Sequence, residues 1–183
     1  GFGGSCLPKD LKAIFSAAKS KGYYSKLLKS VLNINESQPL RVIELAEKAL
    51  GSLRNKKIAL LGLSFKPETD DVRDTKALPI AKELLRKGAK IIAYDPMAME
   101  NFKKLIKSKN IVYAKNAKSA LLNVDVCIIQ TSWDEIKNLT SEDFKVMRKR
   151  VIIDGRRTFD KPEKFTKLGI AYLGIGWKEN NPL

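Results

Sequence analysis

The chain has 183 residues, with 35 Lys and Arg against 20 Asp and Glu, no His, and a formal net charge of +15. At 44% hydrophobic residues it can bury the core of one ordinary domain, or one domain with an appended element, which argues against disorder. The missing His excludes a Ser-His-Asp triad, a Cys-His dyad and any His-ligated metal within this chain, so acid–base work falls to Asp, Glu, Lys, Tyr or Cys.

Cys6 and Cys127 are the two cysteines. They make neither a disulfide framework nor a four-Cys zinc site, no metal site is expected, and a reducing, cytoplasmic setting is the default. The apolar runs are only strand-sized, so no membrane span is expected. Lys and Asp interrupt the first residues repeatedly, unlike a signal peptide. The cations are 27 Lys and 8 Arg, scattered from Lys9 to Lys178. A nucleic-acid binder usually concentrates its charge and interleaves Arg with aromatics, so this charge reads first as a solvated surface, with an electrostatic aid to anionic small ligands and then nucleic-acid binding as the alternatives.

The chain opens Gly1-Phe2-Gly3-Gly4-Ser5-Cys6, as if in the middle of a glycine-rich loop, and is expected to be a piece of something longer. Pro8 and Asp10 then read as the entry to a helix, with Leu11, Ile14, Phe15 and Ala18 at helical spacing up to Gly22. A second helix has Leu27, Leu28, Val31, Leu32 and Ile34 as its apolar side. Pro39 kinks or restarts it, and 40–50 continues to the Gly51 stop. Residues 10–50 are thus expected to be helical and somewhat separate from the rest of the chain.

From Asn55 the pattern alternates. Strands are expected at 57–63, 89–94, 111–113, 124–130, 150–154 and 171–173, with helices at 75–87, 98–108, 116–122, 140–147 and 161–166. Continuous apolar strands separated by helices predict an α/β fold: a Rossmann-like parallel sheet covered on both faces, preceded by a long helical segment. Such a sheet places ligands at its strand C-termini. The first turn, Gly62-Leu63-Ser64-Phe65-Lys66-Pro67, has one glycine where G-x-G-x-x-G has three. No dinucleotide phosphate loop is expected there.

A thiol at a helix N-terminus with a lysine nearby is in the setting that yields reactive thiolates, which singles out Cys6 beside Lys9. Asp10, about one turn on, can face the same site. The plainer alternative is a small apolar filler and an N-terminal helix acid. Cys127, inside VDVCIIQ, reads as core. Residues 65–76 are dense in charged groups, of which Thr75 or Asp74 can cap the following helix. Phe65-Lys66 sets an aromatic face beside a cation at a strand end and suits a sugar ring or base next to an anionic group. Arg156-Arg157 is a second cationic pair at another strand end. Solvated charge is the alternative for each pair.

Three stretches carry a resemblance. GFGGSCLPKD at 1–10 resembles the active-site cysteine motif of the UDP-glucose/GDP-mannose dehydrogenase family. GLSFKPETDDVRDT at 62–75 and IIDGRRTFD at 152–160 resemble the two signatures of that family's C-terminal nucleotide-sugar domain, in the family's order. The resemblance runs along essentially the whole chain. It implies oxidation of a sugar C6 alcohol to a carboxylate by two NAD-dependent hydride transfers, through a thiohemiacetal and then a thioester on the nucleophilic Cys.

By position, Cys6 resembles the nucleophile and Asp10 the carboxylate that helps activate water. Phe2 and Gly3 resemble the sugar-binding loop, Phe65, Lys66 and Arg156 the substrate contacts, and Lys9 and Arg73 residues facing NAD. The resemblance divides the chain into a catalytic-cysteine loop (1–9), a central dimerisation helix region (10–52) that implies a homodimer, and a UDP-sugar-binding Rossmann-like domain (53–183). Relatives acting on N-acetylated mannosamine sugars tend to carry His before the Cys and no Lys-Asp after it. Ser5 and Lys9-Asp10 therefore favour UDP-glucose or GDP-mannose, and the FKPxTDDxR form leans toward UDP-glucose. The family's NAD domain and its catalytic Lys and Asn lie upstream of the Cys motif and outside this sequence, so the chain alone is expected to be inactive. The alternatives are a GDP-mannose 6-dehydrogenase, or a non-catalytic nucleotide- or nucleic-acid-binding basic module; the expected partner is a UDP-sugar, with no nucleic acid and no membrane.

Overall fold

The computed structural model describes residues 1–176. Helix α1 spans Leu7–Ser20, with Pro8 in its first turn, Asp10 near its N-terminus and Lys19 near its C-terminus, the placement that a helix dipole favours. Helix α2, Lys26–Ser37, starts at Ser25, whose side chain accepts from Leu28 N. Pro39 interrupts the run with a 3-10 turn at Gln38–Leu40, and α3 continues as Arg41–Leu50 until Gly51. Helix α1 buries only Pro8, and Ile14 and Leu27 remain 58% and 74% exposed. Helix α3 instead buries Val42, Ile43 and Ala46 against the sheet.

The sheet has six parallel strands: β1 (Lys57–Leu61), β2 (Lys90–Tyr94), β3 (Ile111–Tyr113), β4 (Val126–Ile129), β5 (Val151–Asp154) and β6 (Ala171–Gly174). Their order is β3-β2-β1-β4-β5-β6. It reverses between β1 and β4, so the carboxyl ends of those strands border the crevice where such sheets take ligands.

Strand alternation sorts the core into two layers. Ile58, Leu60, Val126, Ile128 and Ile153 face α3, α4 (Ala77–Arg86) and α5 (Met99–Leu105). Ala59, Leu61, Cys127, Ile129 and Ile152 face the other way, against α6 (Ala117–Ala120), α7 (Asp134–Lys137), α8 (Ser141–Phe144) and α9 (Glu163–Thr166). Burying each Leu or Ile side chain contributes about 1.5–3 kcal/mol, which is why these strands are apolar on both faces.

The predicted α/β class, with its helical N-terminal segment, is what the structure has. Individual elements differ. The helix expected at 140–147 is the single turn α8, closed by a capping box between Thr140 and Asp143, and the turn α7 before it was not predicted. Neither is long enough for periodicity to show; Ile136 and Phe144 anchor them by burial. Helix α5 stops at Leu105, because Ile106 is already extended.

Gly62 leaves β1 at φ +88, and a Cβ there would stand 2.4 Å from Thr131 N. Gly62→Ala combines a left-handed backbone with a backbone collision, and is expected to cost about 2–4 kcal/mol. Thermal unfolding should show this as a Tm lower by at least about 5 °C.

Candidate functional site

The site is built from the ends of β1, β2, β4 and β5. At β2, the apolar run ends in Asp95, which is fully buried. Its Oδ2 accepts from Leu63 N (2.7 Å), Ser64 N (3.0 Å), Ser64 Oγ (3.1 Å) and Trp133 Nε1 (3.0 Å). Its Oδ1 accepts from Met97 N and Ala98 N. One carboxylate thus fastens the β1 turn, the β2 turn and the segment after β4. Thr75 adds a bond from its hydroxyl to Leu63 O at 2.7 Å while accepting from Ala77 N. These bonds fix where the chain emerges at Phe65.

Phe65 and Lys66 form the expected pair, with Lys66 Nζ 5.8 Å from the Phe65 ring centroid. The Phe65 ring is half-buried and Lys66 is exposed. The glycine-rich segment lies on this loop. Gly4 N donates to Arg73 O at 2.9 Å. A Cβ on Gly4, whose φ is +83, would meet the Phe65 ring at 2.8 Å, and one on Gly3 would stand 2.4 Å from Asp74 O. The two chain segments touch so closely that only glycine fits. Phe2 is tied from the other side: its N–H donates to Asn35 Oδ1 at 2.6 Å and its carbonyl accepts from Asn35 Nδ2 at 3.1 Å.

Cys6 comes next, as the N-cap of α1. Its Sγ is exposed and lies 3.6 Å from Ser5 Oγ. Asp10 is one turn on, its N–H donating to Cys6 O at 2.9 Å, and its carboxylate pairs with Lys9 Nζ at 2.9 Å. That pairing raises the Lys9 ammonium above its ordinary value. Cys127 is fully buried, and burial pushes its thiol well up, reinforced by Asp154. A native-state titration with a thiol reagent should therefore count one reactive group per chain, and two after denaturation.

Arg156 comes from the end of β5. Asp154, buried there, accepts from Arg156 N, Thr158 N, Thr158 Oγ1 and Tyr172 OH, and so shapes that loop as Asp95 shapes the β1 loop. Arg156 Nε donates to Gln130 O at 2.8 Å. Its guanidinium is half-buried, has no carboxylate partner among the described residues, and is pulled down from its usual value by burial. Lys76 borders the same cavity of about 90 Å³, with Gln130 and Gly155. Its ammonium is lowered first by burial; Asp74 and Glu36 oppose this, and Lys12 and Arg156 add to it. Two half-buried cations beside one small cavity form an anion-attracting corner. Arg156 is one of the residues expected from sequence; Lys76 is not.

Arg73 points its side chain to Asp71, with Nη2 2.7 Å from Oδ2, and this guanidinium holds Asp71 below the usual carboxylate range. The pair is therefore intact at neutral pH and is lost only as pH falls through that lowered value. Lys9 and Arg73 are both exposed cations. A dinucleotide held by this sheet needs unspent N–H groups at the β1 turn and an acid at β2 open to ribose. Here Leu63 N, Ser64 N and Asp95 satisfy one another, so the β1–β2 crevice does not fit NAD. A larger cavity, of about 750 Å³ between Ser132, Lys137, Arg157 and Phe165, is lined by Arg157 of the predicted cationic pair but by none of the residues to which the resemblance gives a role.

Residues 59–161 match the UDP binding domain of the UDP-glucose/GDP-mannose dehydrogenase family, and residues 1–37 match that family's central domain. The chain belongs to this family. Among its relatives, the UDP-glucose 6-dehydrogenase AglM of Haloferax volcanii is 42% identical over 163 residues, covering 89% of this chain and 37% of that protein. The UDP-glucose 6-dehydrogenase of Rickettsia conorii is 38% identical over 180 residues, covering 97% of this chain and 41% of that one. A solved UDP-glucose dehydrogenase from Pyrobaculum islandicum superposes with a TM-score of 0.82 at 34% identity, covering 97% of this chain and 38% of that chain. The chain thus spans roughly two fifths of the length of the relatives it matches.

The residues of this site that the sequence alone does not single out are Asp95, Asp154, Asn35 and Lys76. The two aspartates had a visible signal: an acid closing a buried apolar strand must find donors. Asn35 and Lys76 sit on or beside helices among many polar residues, and nothing local sets them apart.

Proposed function

We propose that this chain provides the nucleotide-sugar half of a UDP-glucose 6-dehydrogenase, with the UDP phosphates toward Lys66 and Arg156 and the sugar toward Cys6. The observation that carries this is the half-buried Arg156, a cation without a carboxylate partner among the described residues, at the strand ends where a family UDP-binding domain matches. The packing of Gly3 and Gly4 on the Phe65 loop supports a single site shared by both segments. Phe65 offers a ring face to the substrate, and Phe2 and Gly3 border its sugar.

In this reading the C6 alcohol first loses a hydride to give an aldehyde. Cys6 Sγ adds to the aldehyde carbon, whose oxygen takes a proton, forming the C–S bond of a thiohemiacetal. Loss of a second hydride gives a thioester, and water opens it to the carboxylate with release of the Cys6 thiol. Asp10 accepts the proton of that water. NAD supplies the hydride acceptor when bound; from this chain only Lys9 and Arg73 would face it. Because the β1–β2 crevice does not fit a dinucleotide, the chain alone should give no NADH from NAD and UDP-glucose. The exposed apolar residues of α1 and α2, Ile14 and Leu27 among them, support pairing of these helices in a homodimer.

Thermal unfolding tests the nucleotide assignment. UDP or UDP-glucuronate at a hundredfold excess over its Kd should stabilise the chain by about 2.7 kcal/mol, a rise in Tm of about 5–10 °C. AMP at the same concentration should do clearly less. An equal shift with AMP, or none with either UDP compound, contradicts the proposal.

A further inference from the structure

Asn35 is an unusual resident of a helix side that packs inward. Only Leu32 and Asn35 are buried in α2, one turn apart, and Asn35 is 7% exposed. An asparagine there forms helix less readily than leucine and must satisfy a carboxamide away from water. Both ends of that carboxamide are spent on one residue. Phe2 N–H donates to Oδ1 at 2.6 Å, and Nδ2 donates to Phe2 O at 3.1 Å. This reciprocal pair treats Phe2 as a neighbouring strand would.

Two residues later the segment is held from the opposite side, by Gly4 N donating to Arg73 O. Gly3, between them, lies against Asp74 O. The stretch from Phe2 to Gly4 therefore spans between α2 and the loop that carries Phe65, and Cys6 starts α1 two residues on. Helix α2 passes through the 3-10 turn into α3, which is anchored in the core by Val42, Ile43 and Ala46. The Asn35 carboxamide is thus one of the ties that set how far Cys6 stands from Phe65 and Lys66.

We propose that Asn35 is a positioning residue that locks the Phe2–Gly4 backbone and so holds the Cys6 thiol over the sugar end of the substrate site. The proposal rests on the UDP-glucose reading above for what the thiol faces, but not for the lock itself. Asn35 touches no substrate. It acts through Phe2, so its loss should be felt at the sugar end and not at the nucleotide end, where Phe65, Lys66 and Arg156 are untouched.

The test compares the full chain with Asn35→Leu, which keeps the branching and heavy-atom count and removes both bonds, and with Asn35→Ala. Circular dichroism and Tm establish that the variants fold. The first readout is amide exchange at Gly4 by NMR, which needs no ligand; loss of two hydrogen bonds from the segment should speed it by about tenfold or more. The second is the rate of Cys6 alkylation by iodoacetamide, with Cys127 buried and silent. UDP-glucose should slow that rate in the parent chain, and the protection should fall by at least about fivefold in both variants, while the Kd for UDP stays within about twofold. Unchanged Gly4 exchange in the folded variants overturns the lock. Faster exchange with full protection retained overturns its role in holding the thiol. If Gly4 exchange responds while UDP-glucose never protects Cys6 even in the parent chain, the lock stands and it is the UDP-glucose reading that fails. Should Asn35→Ala not fold, Asn35→Leu decides alone.

Discussion

Replacing Asp95 with Ala should lower the unfolding free energy by about 3–5 kcal/mol, the range for stripping a buried charged group from its hydrogen-bond partners. Six donors converge on this carboxylate: Leu63 N, Ser64 N, Ser64 Oγ, Trp133 Nε1, Met97 N and Ala98 N. Alanine leaves those N–H groups buried without acceptors, and the turns after β1 and β2 lose their common tie. Denaturant unfolding measures the loss. Asp95→Asn should fall between parent and Ala, because the carboxamide keeps one acceptor oxygen but turns an NH2 toward donors. A loss below about 1 kcal/mol for Ala would mean that water replaces the carboxylate without penalty. The damage also reaches the site: with Phe65 no longer fixed, UDP affinity should fall together with stability, and not independently of it.

Arg156→Ala has the opposite profile, a large effect on binding with a small one on stability. The guanidinium is half-buried, is pulled down by burial, and spends its Nε on Gln130 O. Removing a cation that meets a phosphate by charge-assisted hydrogen bonds should weaken UDP by about 10- to 100-fold, corresponding to about 1.4–2.8 kcal/mol. The chain itself gives up one bond to a backbone carbonyl and is relieved of a desolvated charge beside Lys76, so Tm should change little. Lys66→Ala should cost less affinity, since Lys66 is exposed and its charge is screened by solvent and salt. Calorimetric titration of UDP into the three proteins checks the ranking. An Arg156→Ala chain that binds UDP as well as the parent would remove Arg156 from the site.

The strands were legible because each is a continuous run of β-branched or aliphatic residues with a turn signal at its end. Lys57–Leu61 and Val126–Ile129 are buried on both faces beyond the exposed Lys57, and a buried parallel strand leaves that trace. The chemistry-bearing segments were legible for a different reason: Gly3, Gly4 and Gly62 mark places where backbone meets backbone or ring too closely for a Cβ. The features that escaped the sequence are those that depend on a partner far along the chain. Asn35 meets Phe2 across 33 positions, and Asp95 meets Leu63 across 32. Asn on a helix is an ordinary surface pattern and announces no partner, whereas Asp95, closing an apolar strand, signals a need for donors without saying which residues supply them. Lys76 is one of 27 lysines; only packing distinguishes it, by taking it partly out of water beside Arg156. The turn α7 was missed and α8, inside the expected 140–147, is shorter than expected; each is four residues held by a single buried side chain.

The net charge of +15 makes some attraction for any polyanion inevitable, so binding alone does not locate the site. The central claim is spatial: UDP sits at the strand ends marked by Phe65, Lys66 and Arg156. Following UDP titration through the backbone amide shifts of isotopically labelled chain tests it most directly. Saturable shifts are expected at Phe65, Lys66, Gly155 and Arg156, absent with AMP at the same concentration. Shifts centred on Lys137, Lys161 and Lys164 around the larger cavity, or spread evenly over the surface lysines, would contradict it.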